Sequence, residues 1–359
     1  MASPSEAPRQ GPAPPPEESD VDRLVVRYRS AISEELRSAL EQRTVLPYPL
    51  MRYHLGWEDR QGRPIEGRGG KLLRPALCLL CCEAVGGDWR RALPAAAALE
   101  LVHNFTLIHD DVEDASRQRH GRETLWSVWG EAQAINVGDG MFALAQVTLL
   151  RLRRQDYPPE RVLQAVQMLD DAALRLCEGQ HQDLAYAGER EVSRDDYLTM
   201  IEGKTAALLA ASTGIGALLG DGPGEVVDAL SAFGRHVGLA FQIRDDVLGI
   251  WGDIEDTGKP TGDDLRAGKK SYPVVVALER GSPGERDALL AFLADGELDD
   301  AGVEQACKLL EGLDARNESG RAALEHGDAA IASLAGLPLQ PERWRELERL
   351  ARFAAQRHS

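Results

Sequence analysis

The segment "LVHNFTLIHDDVEDASRQRHGRETLW", residues 101–126, joins an apolar run to a charged cluster without a break. Leu101, Val102, Phe105, Leu107 and Ile108 lead directly into Asp110, Asp111, Glu113 and Asp114. Apolar residues three and four apart predict a helix that ends in carboxylates. On that helix Asp110 and Asp114 are four apart and face the same way. Asp111 lies about 100° round from Asp110. A solvated face would interleave Lys or Arg with such charges. Here the cations Arg117, Arg119, His120 and Arg122 come only afterwards. The cluster reads either as a solvent-facing helix end or as a site for Mg²⁺. Mg²⁺ is a hard cation that takes carboxylate oxygen while keeping waters and substrate phosphates.

Helical spacing continues on both sides. Val21, Leu24, Val25, Tyr28, Ile32, Leu36 and Leu40 trace one face of a first helix. "PYPLMRYHLGW" breaks it, and "EDRQGRPIEGRGG" reads as a polar loop. From Lys71 onward the spacing predicts helices over 74–86, 90–115, 131–155, 159–187, 194–219, 223–252, 271–279, 284–294, 300–312, 317–334 and 341–356. Period-two runs of Val, Ile and Thr are nearly absent, which argues against a sheet. The class expected is all-α, a single domain over 21–359. Residues 1–20 are rich in Pro, Ser and Glu and read as a disordered tail.

The first acidic cluster has an echo. In "FQIRDDVLGIWGDIEDTGKPTGDDLRAGKKSYP", 241–273, Asp245 and Asp246 again close an apolar stretch. Asp253, Asp256, Asp263 and Asp264 come next, with Lys259, Lys269 and Lys270 among them. Two acidic helix ends, each beside cations, suggest facing walls of one cavity in a helical bundle. Metal ions between them would bind a diphosphate. "GRGGKLLRP", 67–75, sets Lys71 and Arg74 at a helix start, where anions are favoured. It lacks the spacing and the Ser or Thr of a Walker loop. In "GKTAALLAAS", Lys204 and Thr205 open an otherwise apolar helix.

The formal charge of −17 argues against nucleic acid as a partner. Five cysteines form no secreted framework. Cys78, Cys81 and Cys82 could share a helix face, as small core residues or as metal ligands. No apolar stretch is long enough to span a membrane. The N-terminus has no apolar signal core, so a cytoplasmic protein is expected.

Taken together, these segments resemble the trans-isoprenyl diphosphate synthases, the polyprenyl synthetase family, from about residue 24 to 350. "GGKLLRP" is similar to the family's GGKxLRP, and "DDVED" to its first aspartate-rich motif. "GKTAALL" is similar to its KTA segment. "FQIRDDVLG" is similar to its second aspartate-rich motif, and "GKPTGDDLRAGKKSYP" to the segment after that motif. The resemblance implies long helices around a deep central cavity, in a homodimer. It implies that Asp110, Asp111, Asp114, Asp245 and Asp246 hold about three Mg²⁺ on an allylic diphosphate. Arg119, Lys204, Thr205, Gln242 and Lys259 would position that diphosphate. Lys71, Arg74 and His103 would bind isopentenyl diphosphate, with Lys269 near the mouth. His103 taken alone reads as a core histidine; the motif makes it a ligand. His109 is left structural.

The expected reaction is head-to-tail prenyl transfer. The family's pattern for geranylgeranyl-type enzymes has an aromatic five residues before the first motif and a small residue four before. Phe105 and Thr106 fill these positions, so a mainly C20 product is expected. Two departures stand out. Gly249 replaces the third Asp of the second motif, with Asp253 one turn on. His120 replaces the second Arg of a pair that helps bind isopentenyl diphosphate. The alternatives are a farnesyl or longer-chain synthase, a terpene cyclase on the same scaffold, a regulatory subunit or a two-metal nucleotidyl transferase. Lys71, Arg74 and His103 argue against the cyclase, and the retained metal motifs against the subunit. The absence of a sheet and of a nucleic-acid surface argues against the transferase.

Overall fold

The computed structural model describes residues 20–41, 43–65, 70–189, 191–252, 261–294 and 298–357. The expected tail lies outside these residues except for Asp20, which opens the first helix. Gly67, Gly69, Asp253, Asp256 and Lys259 lie outside them as well.

In chain order the first helices are α1 (Asp20–Leu40), α2 (Tyr48–His54), α3 (Leu73–Ala84), α4 (Leu93–Glu113) and α5 (Leu125–Trp129). After them come α6 (Glu131–Leu149), α7 (Pro159–Gly188), α8 (Arg194–Ile201), α9 (Ala207–Leu219) and α10 (Gly224–Trp251). Six further helices cover Asp263–Arg266, Tyr272–Arg280, Pro283–Ala294, Asp300–Gly312, Ala315–Ser333 and Pro341–Gln356. The protein is all-α and has an isoprenoid synthase fold.

Burial matches the sequence pattern. On α1, Leu24, Val25, Tyr28, Ile32, Leu36 and Leu40 are buried, the 3.6-residue stripe of an amphipathic helix. Every residue of α9 except Ala210 is buried, as an all-round apolar helix in a core should be. Cys78, Cys81 and Cys82 are free thiols packed into the same core from α3, and burial raises all three pKa values. On α4 the run from Pro94 to Val102 is buried all round. From His103 the helix is buried on one side only, and there the site begins.

Three local features differ from the sequence reading. The helix expected over 194–219 is interrupted by a π-helical turn, Glu202–Ala206, between α8 and α9. It lies against Gly179 of α7, where a Cβ would come 2.2 Å from the backbone N of Lys204. Only glycine permits that approach, and the extra residue of a π turn re-aims the side chains it carries. The segment read as a pure breaker after α1 contains α2. Gln118–Arg119 pairs antiparallel with Arg122–Glu123. Its two-residue turn has φ of 51° at His120 and 73° at Gly121. Strands this short make a hairpin, not a sheet. Among the described residues no helix is long and apolar enough to cross a membrane.

Candidate active site

Both aspartate pairs stand near the C-terminal ends of long helices, Asp110 and Asp111 on α4 and Asp245 and Asp246 on α10. Asp111 is 2% exposed and accepts from Arg119 Nε at 2.8 Å. Burial pushes its carboxyl up to about 6, against the pull of Arg119. Asp110 is also raised, by burial first, with Lys204 opposing and Asp114 adding repulsion. Asp114 caps α4, is exposed and shifts in the same direction. The cations that come after "DDVED" in sequence thus return through the hairpin, but only Arg119 touches the pair. Arg122 donates to the carbonyls of Tyr53 (2.9 Å) and Glu58 (3.0 Å), and Arg117 lies over Trp126 at 5.3 Å.

The second pair is tied down more fully. Asp246 is 1% exposed and accepts from the Tyr197 hydroxyl, the Tyr272 amide (2.9 Å) and Gln242 Nε2 (3.1 Å). Lys269 Nζ lies 4.0 Å away. Burial raises Asp246 to about 6 despite these contacts. Thr205 Oγ1 donates to Gln242 Oε1 at 2.8 Å, which links the π turn to Asp246. Asp245 accepts from Arg357, a buried arginine near the C-terminus. Where the family's third Asp would stand, a Cβ on Gly249 would come 2.2 Å from Asp264 Oδ2. The sequence reading looked to Asp253 at this point, but Asp264, from the short helix Asp263–Arg266, fills the space.

Two lysines join the clusters. Lys204 Nζ lies 2.5 Å from Asp183 and 3.9 Å from Asp110. Burial works against the charge of Lys269, but Asp246, Asp264, Asp183 and Asp245 outweigh it and hold its pKa well above the usual lysine value. Asp114 feels both Lys204 and Lys269. Lys269 therefore acts on both acidic helix ends. Lys269, expected near the mouth, lies within the second carboxylate group.

A separate group is cation-rich. Lys71 is exposed, and Arg74 has a buried Nε with no hydrogen-bond partner. Glu100, 4% exposed, acts on Arg74 and accepts from Asn104 Nδ2 at 3.0 Å. His103 is held well below the usual histidine pKa by burial, then by Arg74, Arg119, His54 and His120. His120 is exposed at the hairpin tip, and its pKa falls through partial desolvation, Arg119 and Lys71.

Beside Asp110 a cleft of about 200 Å³ opens between α4 and α7. Phe105, Thr106, Leu176, Cys177 and Leu184 line it. The Phe105 ring stands edge-on to His109 at 5.3 Å and 5.3 Å from Phe142. Thr106 Oγ1 donates to the His103 carbonyl at 2.7 Å, so its small side chain leaves room. His109 contacts the Ile135 carbonyl at 3.2 Å, over Gly138, and also lines the cleft. A larger cleft, about 440 Å³ around Glu191, Glu279 and Arg286, holds none of the motif residues.

The sequence reading missed Asp183, Tyr197, Arg357 and His54. Asp183 comes after Gly179 and Gln180 on α7, a faint signal of a polar face meeting another helix. The other three carry no local signal. Among the described residues no three carboxylate, imidazole or thiolate groups converge closely enough to hold an ion unaided. The donor set still fits Mg²⁺, which is held by one or two carboxylates plus substrate phosphates, not by an all-protein cage.

The polyprenyl synthetase family profile matches residues 62–310. The chain is 39% identical to a (2E,6E)-farnesyl diphosphate synthase of Mycobacterium bovis, over 96% of this chain and 97% of that one. It is also 39% identical to a geranylgeranyl diphosphate synthase of Mycobacterium tuberculosis, over 89% and 90%. Its fold matches the polyprenyl synthetase of Streptomyces coelicolor A3(2) with a TM-score of 0.86, at 39% identity over 93% and 99%. It matches the geranylgeranyl pyrophosphate synthetase of Pyrococcus horikoshii with 0.84, at 33% identity over 94% and 98%. A profile match across most of the sequence, with relatives of nearly full length on this fold, shows that the chain belongs to the polyprenyl synthetase family and is a prenyltransferase of the isoprenyl diphosphate synthase kind.

Proposed function

We propose that the protein condenses isopentenyl diphosphate with an allylic diphosphate, head to tail and with Mg²⁺, to give mainly geranylgeranyl diphosphate. The observation that carries this reading is that Lys269, beside Asp246, also acts on Asp114, while Lys204 lies beside Asp110 at the edge of a cleft. Asp110, Asp111, Asp114, Asp245 and Asp246 would hold the ions, three by the family resemblance. When bound, Mg²⁺ supplies Lewis-acid stabilisation of the departing diphosphate.

The chain's own groups do the rest. Lys204, Thr205, Gln242, Arg119 and Lys259 hold the allylic diphosphate, and Lys269 adds positive charge where negative charge grows. As the C–O bond to diphosphate breaks, an allylic cation remains. Lys71, Arg74, His103 and His120 hold isopentenyl diphosphate so that its double bond attacks that cation. A proton then leaves the adduct for the released diphosphate and an alkene re-forms. No side-chain nucleophile takes part. Phe105 with Leu176 and Leu184 of α7 gives the cleft its apolar lining, which limits water that would quench the cation.

Phe105 with Thr106 beside it supports a floor suited to a C20 tail. The (2E,6E)-farnesyl diphosphate synthase of M. bovis, equally similar in identity, keeps C15 as the second reading. Incubation with Mg²⁺, labelled isopentenyl diphosphate and each allylic primer tests the proposal. Labelled C20 diphosphate that disappears with EDTA is expected, and turnover persisting in EDTA overturns the metal requirement. Residues 21–359 act as one synthase domain in the cytoplasm. Ile135, Val147 and Leu150 around α6, with Leu163 and Leu174 on α7, remain exposed. Apolar surface of this kind suits the interface of a homodimer, and sedimentation reads the state directly.

A further inference from the structure

α2 lies outside every family motif, yet its last residue, His54, belongs to the cation-rich group. One ring N–H of His54 donates to the Asn104 side chain, next to His103 on α4. Arg119, Arg122 and His120 of the hairpin are close enough for their charges to act on it. The hairpin and α2 are fastened together: Arg122 holds the Tyr53 carbonyl and lies over the Tyr53 ring at 4.3 Å. The Tyr53 hydroxyl in turn donates to the Glu123 carbonyl at 2.8 Å. These contacts hold the end of α2, where His54 stands, against the hairpin.

The charge balance of this group is lopsided. The cations are Lys71, Arg74, Arg119 and Arg122, with three neutral-leaning imidazoles, His54, His103 and His120, among them. Facing them are Glu100, already engaged with Asn104 and Arg74, and Glu58, engaged with Arg52 at 2.6 Å. Arg119 is committed to Asp111 and Arg122 to carbonyls. Burial and the surrounding cations push His54 down to about 3. An arginine Nε without a hydrogen-bond partner and the exposed Lys71, beside imidazoles held neutral first by burial and then by the neighbouring cations, describe a site suited to an anion. A bound diphosphate reverses the balance and favours the protonated ring.

Resting on the proposed function, we infer that His54 is a further ligand of the isopentenyl diphosphate headgroup, binding it with Lys71, Arg74, His103 and His120. It supplies a donor from a fourth segment of chain where His120 has replaced an arginine. Binding then takes up a proton from solvent onto the ring nitrogen that faces the phosphate. The other nitrogen stays with Asn104.

The test compares wild type with His54→Gln and His54→Ala at pH 6.5 and 8. Gln keeps a donor for Asn104 but cannot be charged. His54→Gln should raise KM for isopentenyl diphosphate about tenfold at pH 6.5, the worth of one charge-assisted hydrogen bond. The rise should be smaller at pH 8, and the KM for the allylic substrate should change less than twofold. Calorimetry of isopentenyl diphosphate alone, in buffers of different ionisation heat, should show proton uptake in wild type and less in both variants. An unchanged KM, equal changes for both substrates, or no proton uptake in wild type overturns the assignment. A wild type that binds isopentenyl diphosphate but transfers no prenyl group overturns the function instead, and the calorimetry still decides the role of His54.

Discussion

The two acidic helix ends look alike in sequence and differ in structure. Asp110 at the end of α4 has Lys204 at 3.9 Å, with Arg119 acting from further off, and no hydrogen bond to its side chain is seen among the described residues. Asp246 near the end of α10 is held by Tyr197, Tyr272 and Gln242 before any substrate arrives. At the first end Asp111 is paired with Arg119, while Asp110 has only ion-pair neighbours. The second is already compensated, and its carboxylate also supports the fold. Removing like-charge repulsion costs little, whereas removing the partner of buried polar groups costs much.

The largest effect is expected at the first end. Asp110→Ala should lower kcat by about 10³, the scale of losing one electrostatic contact to developing charge. Its unfolding midpoint should stay at or above that of wild type. Circular dichroism melts beside turnover assays check both halves, and a large stability loss would erase the contrast between the two ends. Asp245→Ala should also abolish turnover with the fold retained.

Asp246→Ala should differ in kind. It strands the Tyr197 hydroxyl and leaves Lys269 without its nearest carboxylate. Stability should fall by about 2–3 kcal/mol, a figure reduced because Lys269 reaches solvent. Denaturant titration reads this directly, and a melt matching that of Asp110→Ala would show that the two ends are equivalent.

Phe105→Ala probes the floor beneath the first end. Products should move from C20 toward C25 and longer, with a stability loss of about 1–2 kcal/mol for a half-buried ring. Chromatography of the products decides, and an unchanged distribution from a folded, active variant would assign length control elsewhere. Gly249→Asp restores the family residue at the compensated end but drives its Cβ into Asp264. The variant should lose about 1–3 kcal/mol, as overpacked sites do, with no gain in activity.

The smallest effect is one that both ends share. Asp111 and Asp246 each stand at about 6 in the folded protein, above the ordinary 3.8. The folded protein thus keeps these protons at pH values where the unfolded chain has released them. The stability they contribute is present below about pH 4 and is lost as pH rises through about 6. In metal-free protein, Asp111→Asn and Asp246→Asn should each flatten that part of the midpoint-against-pH curve.

Much of this architecture was legible in the residues. Tyr28, Ile32 and Leu36 announce a buried helical stripe, and the all-apolar run of α9 announces a core helix. Asp110-Asp111 and Asp245-Asp246 announce carboxylates at helix ends because residue type and spacing along a helix are local properties. The π turn at Glu202–Ala206 was not legible, since it depends on the backbone of Gly179 pressing from another helix. Asp264 could not be seen filling the space at Gly249, because fifteen positions of chain separate them.

By itself, the sequence determined the helices, the chemistry available at their ends and the family to which the chain belongs. Only the tertiary structure decided which charge meets which. It set Arg357 on Asp245, Asp183 on Lys204 and His54 among the cations of the hairpin. The physical reason is that helix formation depends on neighbours a few residues apart. Charge compensation depends instead on distance and burial, and these are fixed only when remote segments pack together.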